Sequence, residues 1–558
     1  MRIQEKLKKI KSRKLFFAIV MNLVILFILI LLFYARYNCE LDITMQALLY
    51  GTAAEEGYWS HLIFSNIFLG KILSILMSLF PVVAWYTIFH YLMAFISMVI
   101  ITEIVVIYNN NLSGRIVSTI ISIFIGYECY IMPMYMKTAV LLTTASFMIW
   151  GYILFHKKEW DRYSRKKIVY SCLPQAVLAG ILNVVGSWIS FRVYVMTVVI
   201  VLIGFGVRIL RNRRLGPCQI LAGCSFAGAL LISIICRQVD IHIYAGDPGW
   251  NEAGTYRDAV EQLYAFGFPE YEDVEFVLKT NDYLDVDEIT YNMMRSGIYS
   301  DSRVNFELLQ LIADQRVSFN TWKFFLFFRV VPIRAFKTGM FYLWVILAIV
   351  SGYCVGRKVF PRVLVSLGMI FFPYFILYFR YGYESQFLGM IAYLPAIIFL
   401  LMGMKDIALA EERYACVYLG LLGLVLYYIF SGDMVRDIQE TSELKDIVAI
   451  NKEKAPHAHL IDFNYYIQGF SIYQVYPGNV DNEKVFLANG IYHLVPGVRR
   501  THQLADEFSK NWNGVEIYGR NEEVIQIAAE NVGYYVDLNM YNLEYGDSFH
   551  RLIHHVYN

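Results

Sequence analysis

The sequence predicts an all-α polytopic membrane bundle of about eleven transmembrane helices, followed by a small extracytoplasmic α/β domain at the C-terminal end. Hydrophobic residues make up 57% of the 558 residues and charged residues only 17%. Apolar runs of spanning length recur as far as residue 430, whereas the last part alternates short strand-like and helical patterns. The net charge of +1 gives no field that would attract a nucleic acid, so no nucleic-acid partner is expected.

The first apolar run sets the expected orientation of the chain. Leu15 to Tyr34 supplies about twenty residues, enough to cross roughly 30 Å of hydrocarbon. The basic residues before it are kept in the cytoplasm by the positive-inside rule: they are Lys6, Lys8, Lys9, Lys11, Arg13 and Lys14. The run has no small-residue cleavage site after it, so we expect a retained anchor with a cytoplasmic N-terminus.

One apolar run in the N-terminal half must not cross the membrane. If every run crossed, the basic loop 156–167 would lie outside, against the positive-inside rule. His61 to Phe80 is the best candidate, predicted to lie along the outer interface as an amphipathic helix, and Ile116 to Ile131 is the second. The residues that disfavour His61 to Phe80 as a span are Asn66, Gly70, Lys71 and Pro81. The basic loops that then become cytoplasmic are 156–167, 211–216, 356–362 and 405–413.

This scheme divides the chain into five parts. They are a cytoplasmic N-terminus (1–14), an N-terminal transmembrane module with the first outer loop 36–81 (15–236), an extracytoplasmic helical loop (237–335), C-terminal transmembrane helices (336–430) and an extracytoplasmic α/β domain (431–558). Within the outer loop, helices are predicted at Arg257 to Phe266 and Phe306 to Ile312. The elements predicted in the tail are strands at Val485 to Ala488, Tyr492 to Val495 and Tyr534 to Leu538, and a helix at Glu522 to Ala529.

The first outer loop carries the carboxylate that best suits chemistry. Asp42 follows the first span and precedes a probable helix, where it could take a proton from a sugar hydroxyl attacking an activated donor. The alternative is that Asp42 only caps that helix. Glu40 is the second choice for the catalytic role, because it lies closer to the span and outside the helical pattern, and Glu55 and Glu56 read as solvated turn residues.

Two arginines at the outer ends of spans suit a phosphate. Arg192 and Arg380 could bind the phosphate of a lipid-linked sugar in the fork geometry of a guanidinium, although each could also reach out to lipid headgroups. Tyr383 and Glu384 belong to a polar, aromatic turn beside Arg380 that suits a sugar.

No cofactor is predicted from the motifs. The sequence has no His/Cys cluster with zinc spacing, no Walker loop, no dinucleotide glycine pattern after a strand and no Gly-x-Ser-x-Gly elbow. A divalent metal therefore has no support, and the expected metal site is none.

A resemblance to known proteins rests on five stretches of the chain: Leu41 to Gly51, Ser60 to Asn66, Trp85-Tyr86, Gly267 to Tyr271 and Asn281 to Tyr283. In these stretches the chain resembles a group of Gram-positive multi-spanning membrane proteins, which is similar to the GT-C class of glycosyltransferases. The group's pattern runs from an Asp-Asp pair to a Pro-Asp-x-His. This chain has Leu41 at the first Asp position, and Trp59-Ser60 replaces the acidic residue before His61.

The resemblance implies a multi-pass protein of a bacterial cell membrane with its soluble parts outside. It implies Asp42 as the catalytic acid–base residue and a polyprenyl-phosphate sugar as donor, with a cell-envelope glycan or lipid as acceptor. His61 takes the position of the pattern's histidine and is included in the expected substrate site. Two other functions remain open: a transporter or flippase of lipid-linked sugars, and a non-catalytic envelope-assembly component, which the loss of the first Asp would favour.

Overall fold

The computed structural model describes most of the chain up to residue 431. Beyond residue 431 it describes five short strands and residues 472–473. The described residues are 2–33, 35–38, 40–51, 59–108, 112–155, 165–211, 217–266, 268–284, 286–295, 305–315, 325, 327, 339–355, 360–381, 388–403, 415–431, 458–461, 472–473, 485–487, 514–518, 542–545 and 552–557.

The described chain up to residue 431 is mostly helical, as the apolar periodicity predicts. The helices are α1 (Arg2–Leu32), α2 (Glu40–Tyr50), α3 (Ile67–Leu79), α4 (Trp85–Tyr108), α5 (Leu112–Gly126), a π-helical turn (Tyr127–Ile131), α6 (Tyr135–Phe155), α7 (Arg165–Ile189), α8 (Phe191–Arg211), α9 (Pro217–Ala245), α10 (Pro248–Phe266), α11 (Tyr271–Thr280), α12 (Glu288–Arg295), α13 (Phe306–Asp314), α14 (Gly339–Val355), α15 (Phe360–Tyr381), α16 (Leu388–Gly403) and α17 (Ala415–Ser431).

Six stretches of the described chain are helical, long and apolar enough to cross a membrane, so the protein is a helical membrane bundle. They are Arg13–Leu32, Trp85–Tyr108, Gly114–Ile131, Tyr135–Leu154, Cys172–Ile189 and Pro217–Ala245. Helix α6 is at the centre, because 89% of its most apolar stretch is buried inside the protein. It packs against α4, α7, α8, α9 and α16. Helix α9 lies at the periphery, because only 22% of its most apolar stretch is buried.

Helix α3 is shorter than the predicted segment His61 to Phe80. It begins at Ile67 because Asn66 has extended backbone angles and its side chain accepts a hydrogen bond from the Phe68 N–H at 3.1 Å. Thirteen residues rise about 20 Å, less than the roughly 30 Å of a hydrocarbon core. This length agrees with the prediction that the segment does not cross, whereas the second candidate, Ile116 to Ile131, belongs to one of the six spanning stretches.

Contacts between helix ends show which ends share one side of the bundle. The segment after α1 meets the end of the π-helical turn, where the Arg36 N–H donates to the Ile131 carbonyl at 2.9 Å. The Asn66 N–H donates to the Trp188 carbonyl near the end of α7 at 2.7 Å, and the Ile67 N–H to Asp240 of α9 at 2.8 Å. The starts of α4 and α6 also lie here, beside Asp42 of α2. We call this side the Asp42 end.

The alternation of helix ends follows from the Asp42 end. Helices α1, α5, α7 and α9 finish there, and α4, α6 and α8 begin there. That order is the one expected if α2 and α3 do not cross and α1 and α4 to α9 each do.

The segment 237–335, predicted to be a loop outside the membrane, contains the helices predicted for it. The prediction of helices at Arg257 to Phe266 and Phe306 to Ile312 is confirmed by α10 and α13, which pack together. In the tail, the strands are β1 (Ala458–Ile461), β2 (Val485–Leu487), β3 (Gly514–Tyr518), β4 (Asn542–Tyr545) and β5 (Leu552–Tyr557). They form one sheet in the order β2-β1-β3-β5-β4, parallel between β2, β1 and β3 and antiparallel between β3, β5 and β4. The other tail elements predicted from the sequence lie outside the described residues.

Candidate functional site

Helix α2 is buried at the Asp42 end and presents Asp42 to neighbouring helices. Its apolar residues Leu41, Met45 and Leu48 are at most 2% exposed. The helix begins at Glu40, so Asp42 lies in the first turn rather than at the cap, and Glu40 belongs to the helix, contrary to the sequence reading. Gly51 follows the helix with φ +67°, a left-handed conformation that glycine adopts at little cost.

The Asp42 carboxyl is held by two other helices. Its Oδ1 accepts a hydrogen bond from the Tyr86 hydroxyl of α4 at 2.9 Å and from the Tyr135 backbone N–H at the start of α6 at 2.8 Å. Asp42, Tyr86 and Tyr135 are each 0% exposed. The interpretation of Asp42 as only a helix cap is therefore wrong, because both of these donors belong to other helices. The second oxygen, Oδ2, has no hydrogen-bond partner among the described residues.

The environment of Asp42 favours its neutral form. Burial raises the pKa of the carboxyl from its ordinary 3.8 to about 8, and the hydrogen bonds from Tyr86 and Tyr135 and the charge of Lys137 oppose this only in part. In the folded protein, the carboxyl therefore gains or loses its proton close to neutral pH, where a general acid–base group operates best.

A buried ion pair lies close enough to Asp42 for the charge of Lys137 to act on its carboxyl. Lys137 Nζ is 2.6 Å from Glu128 Oε2, with side-chain exposures of 5% and 8%. Lys137 also donates to the carbonyl oxygens of Glu128 and Met132, at 3.2 and 3.0 Å. Glu128 belongs to the π-helical turn and Lys137 to the first turn of α6, so the pair joins the two elements on either side of Pro133.

A second buried titratable group, His90, lies one turn along α4 from Tyr86. The two rings are 4.6 Å apart between centroids. The Thr138 hydroxyl donates to the Met134 carbonyl at 3.3 Å, so the 3.1 Å contact between His90 Nδ1 and Thr138 Oγ1 is assigned with the imidazole N–H as donor. His90 Nε2 is then an acceptor, and it has no hydrogen-bond partner among the described residues.

His61 lies in an aromatic cluster between the first outer loop and the α9–α10 connection. Its ring stacks on Trp250 with centroids 4.3 Å apart, and meets the edge of Tyr244 at 5.1 Å. Burial lowers the pKa of His61 below its usual 6.5, and Asp247 acts in the opposite direction. The ring is half-buried, and its expected contact with substrate stays a prediction.

The structure places the expected phosphate-binding residues only in part. Arg192 is half-buried in the first turn of α8, and α8 begins at the Asp42 end. Arg380 lies in the last turn of α15, with its side chain outside the described part of the chain. Tyr383 and Glu384 also lie outside the described residues. The convergence of the two arginines on one cavity stays a prediction.

Sequence reasoning missed the two donors to Asp42 and the buried ion pair near it. They are Tyr86, Glu128, Tyr135 and Lys137. From the sequence alone, no role is assigned to either Glu128 or Lys137. Ionisable residues at membrane depth are a functional signal by default, so this pair could have been found.

Among the described residues, no three His, Cys, Asp or Glu side chains form a group that could hold a metal ion. No protein-family model matches the chain, and no curated protein matches it significantly.

Proposed function

We propose that this protein is an integral-membrane glycosyltransferase that moves a sugar from a polyprenyl-phosphate donor to a cell-envelope glycan or lipid on the outer face of a bacterial membrane. Asp42 is the acid–base residue in this proposal. Arg192 and Arg380 hold the donor phosphate, and His61, Tyr383 and Glu384 contact the substrates.

The observation that carries the proposal is a comparison of two fully buried aspartates. Asp240 of α9 uses both of its oxygens: Oδ1 accepts from the Ile67 N–H, and Oδ2 from the Arg237 guanidinium at 2.8 Å. Asp42 is equally buried, but only its Oδ1 is bonded, and Oδ2 has no partner among the described residues. A buried oxygen that lacks a partner costs free energy, which is the pattern of a site that awaits a ligand rather than of a structural carboxylate.

The chemistry follows from that oxygen. The ionised Asp42 carboxylate accepts the proton of the acceptor hydroxyl at Oδ2 while the hydroxyl oxygen bonds to the anomeric carbon of the sugar. The bond between that carbon and the phosphate oxygen breaks, and its electron pair leaves with the polyprenyl phosphate. Tyr86 and Tyr135 fix Oδ1 and so hold the carboxyl in one orientation.

The proposal includes the finer architecture. We place about eleven spans in the membrane, with the N-terminus in the cytoplasm and the Asp42 end, the loop 237–335 and the tail outside. We also propose that the strands β1–β5 belong to an α/β domain over 431–558.

Two other functions each have one observation in their favour. The buried Lys137–Glu128 pair at a span end suits a transporter or flippase of lipid-linked sugars, whose path would be lined by such groups. A non-catalytic component is favoured by Leu41, which is 2% exposed and stands where the resembling proteins have their first Asp.

The test is a transfer assay with purified full-length protein in lipid nanodiscs. A panel of radiolabelled polyprenyl-phosphate sugars is offered with detergent-extracted envelope glycans and lipids as acceptors. We expect Asp42→Asn to lower transfer about 10²–10⁴-fold, and Asp273→Asn on the exposed face of α11 to leave it unchanged. Transfer by Asp42→Asn at the wild-type rate would refute the role of Asp42, and movement of the labelled lipid between leaflets without transfer would favour the flippase.

A further inference from the structure

We propose that Ile472 and Tyr473 of the C-terminal part form a lid over the Asp42 site, and that the structure shows the closed state. These two residues lie against the outermost turns of α4, next to the residues that hold Asp42. The Ile472 side chain is 3% exposed and belongs to the hydrophobic core of the bundle. A residue of the polar tail is therefore inserted into the transmembrane part.

The first attachment is a hydrogen-bond chain to the backbone of Ile472. The Thr87 hydroxyl donates its single proton to the Ile472 carbonyl oxygen. The Tyr37 hydroxyl, 2.7 Å from Thr87 Oγ1, must then be the donor in that contact. The chain Tyr37 to Thr87 to Ile472 thus joins the first outer loop, α4 and the lid.

The second attachment is a parallel chain that ends in the π-helical turn. The Tyr91 hydroxyl donates to the Tyr130 carbonyl oxygen. The Tyr473 hydroxyl, 2.9 Å from that of Tyr91, is therefore the donor to Tyr91. The two rings also meet edge to face with centroids 6.0 Å apart.

The residues covered by the lid are the neighbours of the candidate site. Thr87 follows Tyr86, the donor to Asp42, and Tyr91 follows His90 in α4. Thr87 and His90 are each 1% exposed, and Tyr86 and Tyr130 are 0% exposed. Asp42 Oδ2 and His90 Nε2 have no hydrogen-bond partner among the described residues, and both side chains are buried, so a ligand can reach them only after some cover moves.

The lid has the features of a cover that opens. Tyr473 remains 43% exposed although its hydroxyl is bonded, so it sits at the boundary between the site and solvent. The attachments of the lid include two hydrogen bonds and one buried apolar side chain. Each hydrogen bond is worth a factor of about 2- to 10-fold in the ratio of closed to open states. The role of the lid in catalysis rests on the proposed function, whereas the covering of the site does not.

The test uses Cys129 as a native reporter thiol. Cys129 is 3% exposed and lies between Glu128 and Tyr130 in the π-helical turn that Tyr91 holds. Full-length protein carrying Cys39→Ser is placed in lipid nanodiscs, reacted with a membrane-impermeant maleimide, and analysed cysteine by cysteine by mass spectrometry. Cys172 and Cys218 report unfolding, because both are buried at the ends of α7 and α9 opposite the Asp42 end.

We expect slow labelling of Cys129 in this parent protein and faster labelling when the lid is weakened. Tyr473→Phe should raise the rate about 2- to 10-fold by removing one hydrogen bond, and Ile472→Ala combined with Tyr473→Phe should raise it further. Tyr427→Phe is the matched control, because Tyr427 is 70% exposed on α17. A second reporter, Asp42→Cys in a Cys39→Ser, Cys129→Ser background, should respond in the same way.

Equal labelling of Cys129 in the parent and the lid variants would overturn the proposal, whether both rates were fast or both negligible. Faster labelling of Cys129 together with Cys172 and Cys218 would also overturn it, since the variants would then be unfolding as a whole. If the lid variants behave as expected but no sugar transfer is found in any protein, the lid stands and the glycosyltransferase proposal fails.

Discussion

The pKa of Asp42 leads to a stability prediction that needs no knowledge of the substrate. The change is Asp42→Asn, which mimics the protonated carboxyl. The amide oxygen can accept the same two hydrogen bonds from Tyr86 and Tyr135, and the amide N–H₂ takes the place of the protonated Oδ2. The variant therefore removes the ionisation of residue 42 and little else.

The sign follows from proton binding in the two states. Burial raises the pKa of Asp42 from 3.8 to about 8 in the folded protein, so between these values the folded state holds a proton that the unfolded state has released. The free energy of unfolding of the wild type then falls as pH rises from about 4 to about 8. Below pH 4 the contribution of Asp42 is the same as that of a neutral residue, and above pH 8 its full cost is present.

The magnitude can be bounded from the same pKa. The difference between about 8 and 3.8 is about 4, and one pKa unit corresponds to about 1.4 kcal/mol, which gives an upper bound of about 6 kcal/mol above pH 8. Asp42→Asn should thus be more stable than the wild type at pH 9 by up to this amount, with the advantage shrinking towards pH 4. We expect the thermal midpoint of the variant to exceed that of the wild type by several degrees at pH 9.

The measurement is the unfolding of both proteins in the same detergent between pH 4 and pH 9, followed by intrinsic fluorescence. The difference between the two proteins isolates Asp42 from every other titrating group. Asp273→Asn serves as the control and should run parallel to the wild type. A difference that stays constant with pH, or a variant that is less stable at pH 9, would show that the folded protein accommodates the charged carboxylate and would refute the reasoning.

Two further changes test the packing around the site. Gly70→Ala should destabilise the protein by about 1–3 kcal/mol or more, because its Cβ would lie 1.7 Å from the Ser60 carbonyl oxygen. Gly228→Ala in α9 has open space around its Cβ and should be neutral or stabilising. The thermal midpoints of the two variants, each compared with that of the wild type, decide this. Lys137→Met should cost about 3–5 kcal/mol by leaving Glu128 buried without its partner, and Lys137→Met with Glu128→Leu should recover much of the loss. Strictly additive losses in a double-mutant cycle would contradict the buried pair.

The sequence predicted helices well because hydrophobicity acts locally. An apolar run of twenty residues has few alternatives to a membrane helix, since every backbone polar group must be bonded within the segment. The prediction that one apolar run does not cross the membrane also came from a simple rule. The basic loop 156–167 is expected on the cytoplasmic side, as is the N-terminus, and this requires an even number of spans before it. The start of α3 was placed six residues too early, since an apolar pattern does not reveal that Asn66 caps the helix.

The partners of the site residues could not be predicted because they come from distant parts of the chain. Asp42 meets Tyr86 and Tyr135 across 44 and 93 residues, and Thr87 meets Ile472 across 385. These contacts depend on how the helices are arranged, which periodicity does not specify. The local sequence could single out the carboxyl of Asp42 as suited to chemistry, but it could not show which of its oxygens accept hydrogen bonds.

Lys137 and Asp42, two of the buried ionisable groups at the Asp42 end, illustrate how neighbours decide between structure and function. Lys137 uses all three of its protons, on Glu128 Oε2 and on two backbone carbonyl oxygens, so its cost of burial is offset and it fixes the π-helical turn to α6. Among the described residues, Asp42 is bonded at one oxygen only, and the two donors come from α4 and α6. A fold that needed Asp42 only for packing would be more stable with an apolar or amide side chain there. The retention of a partly satisfied carboxyl beside a fully satisfied lysine therefore favours a ligand for Asp42 Oδ2 over a structural role.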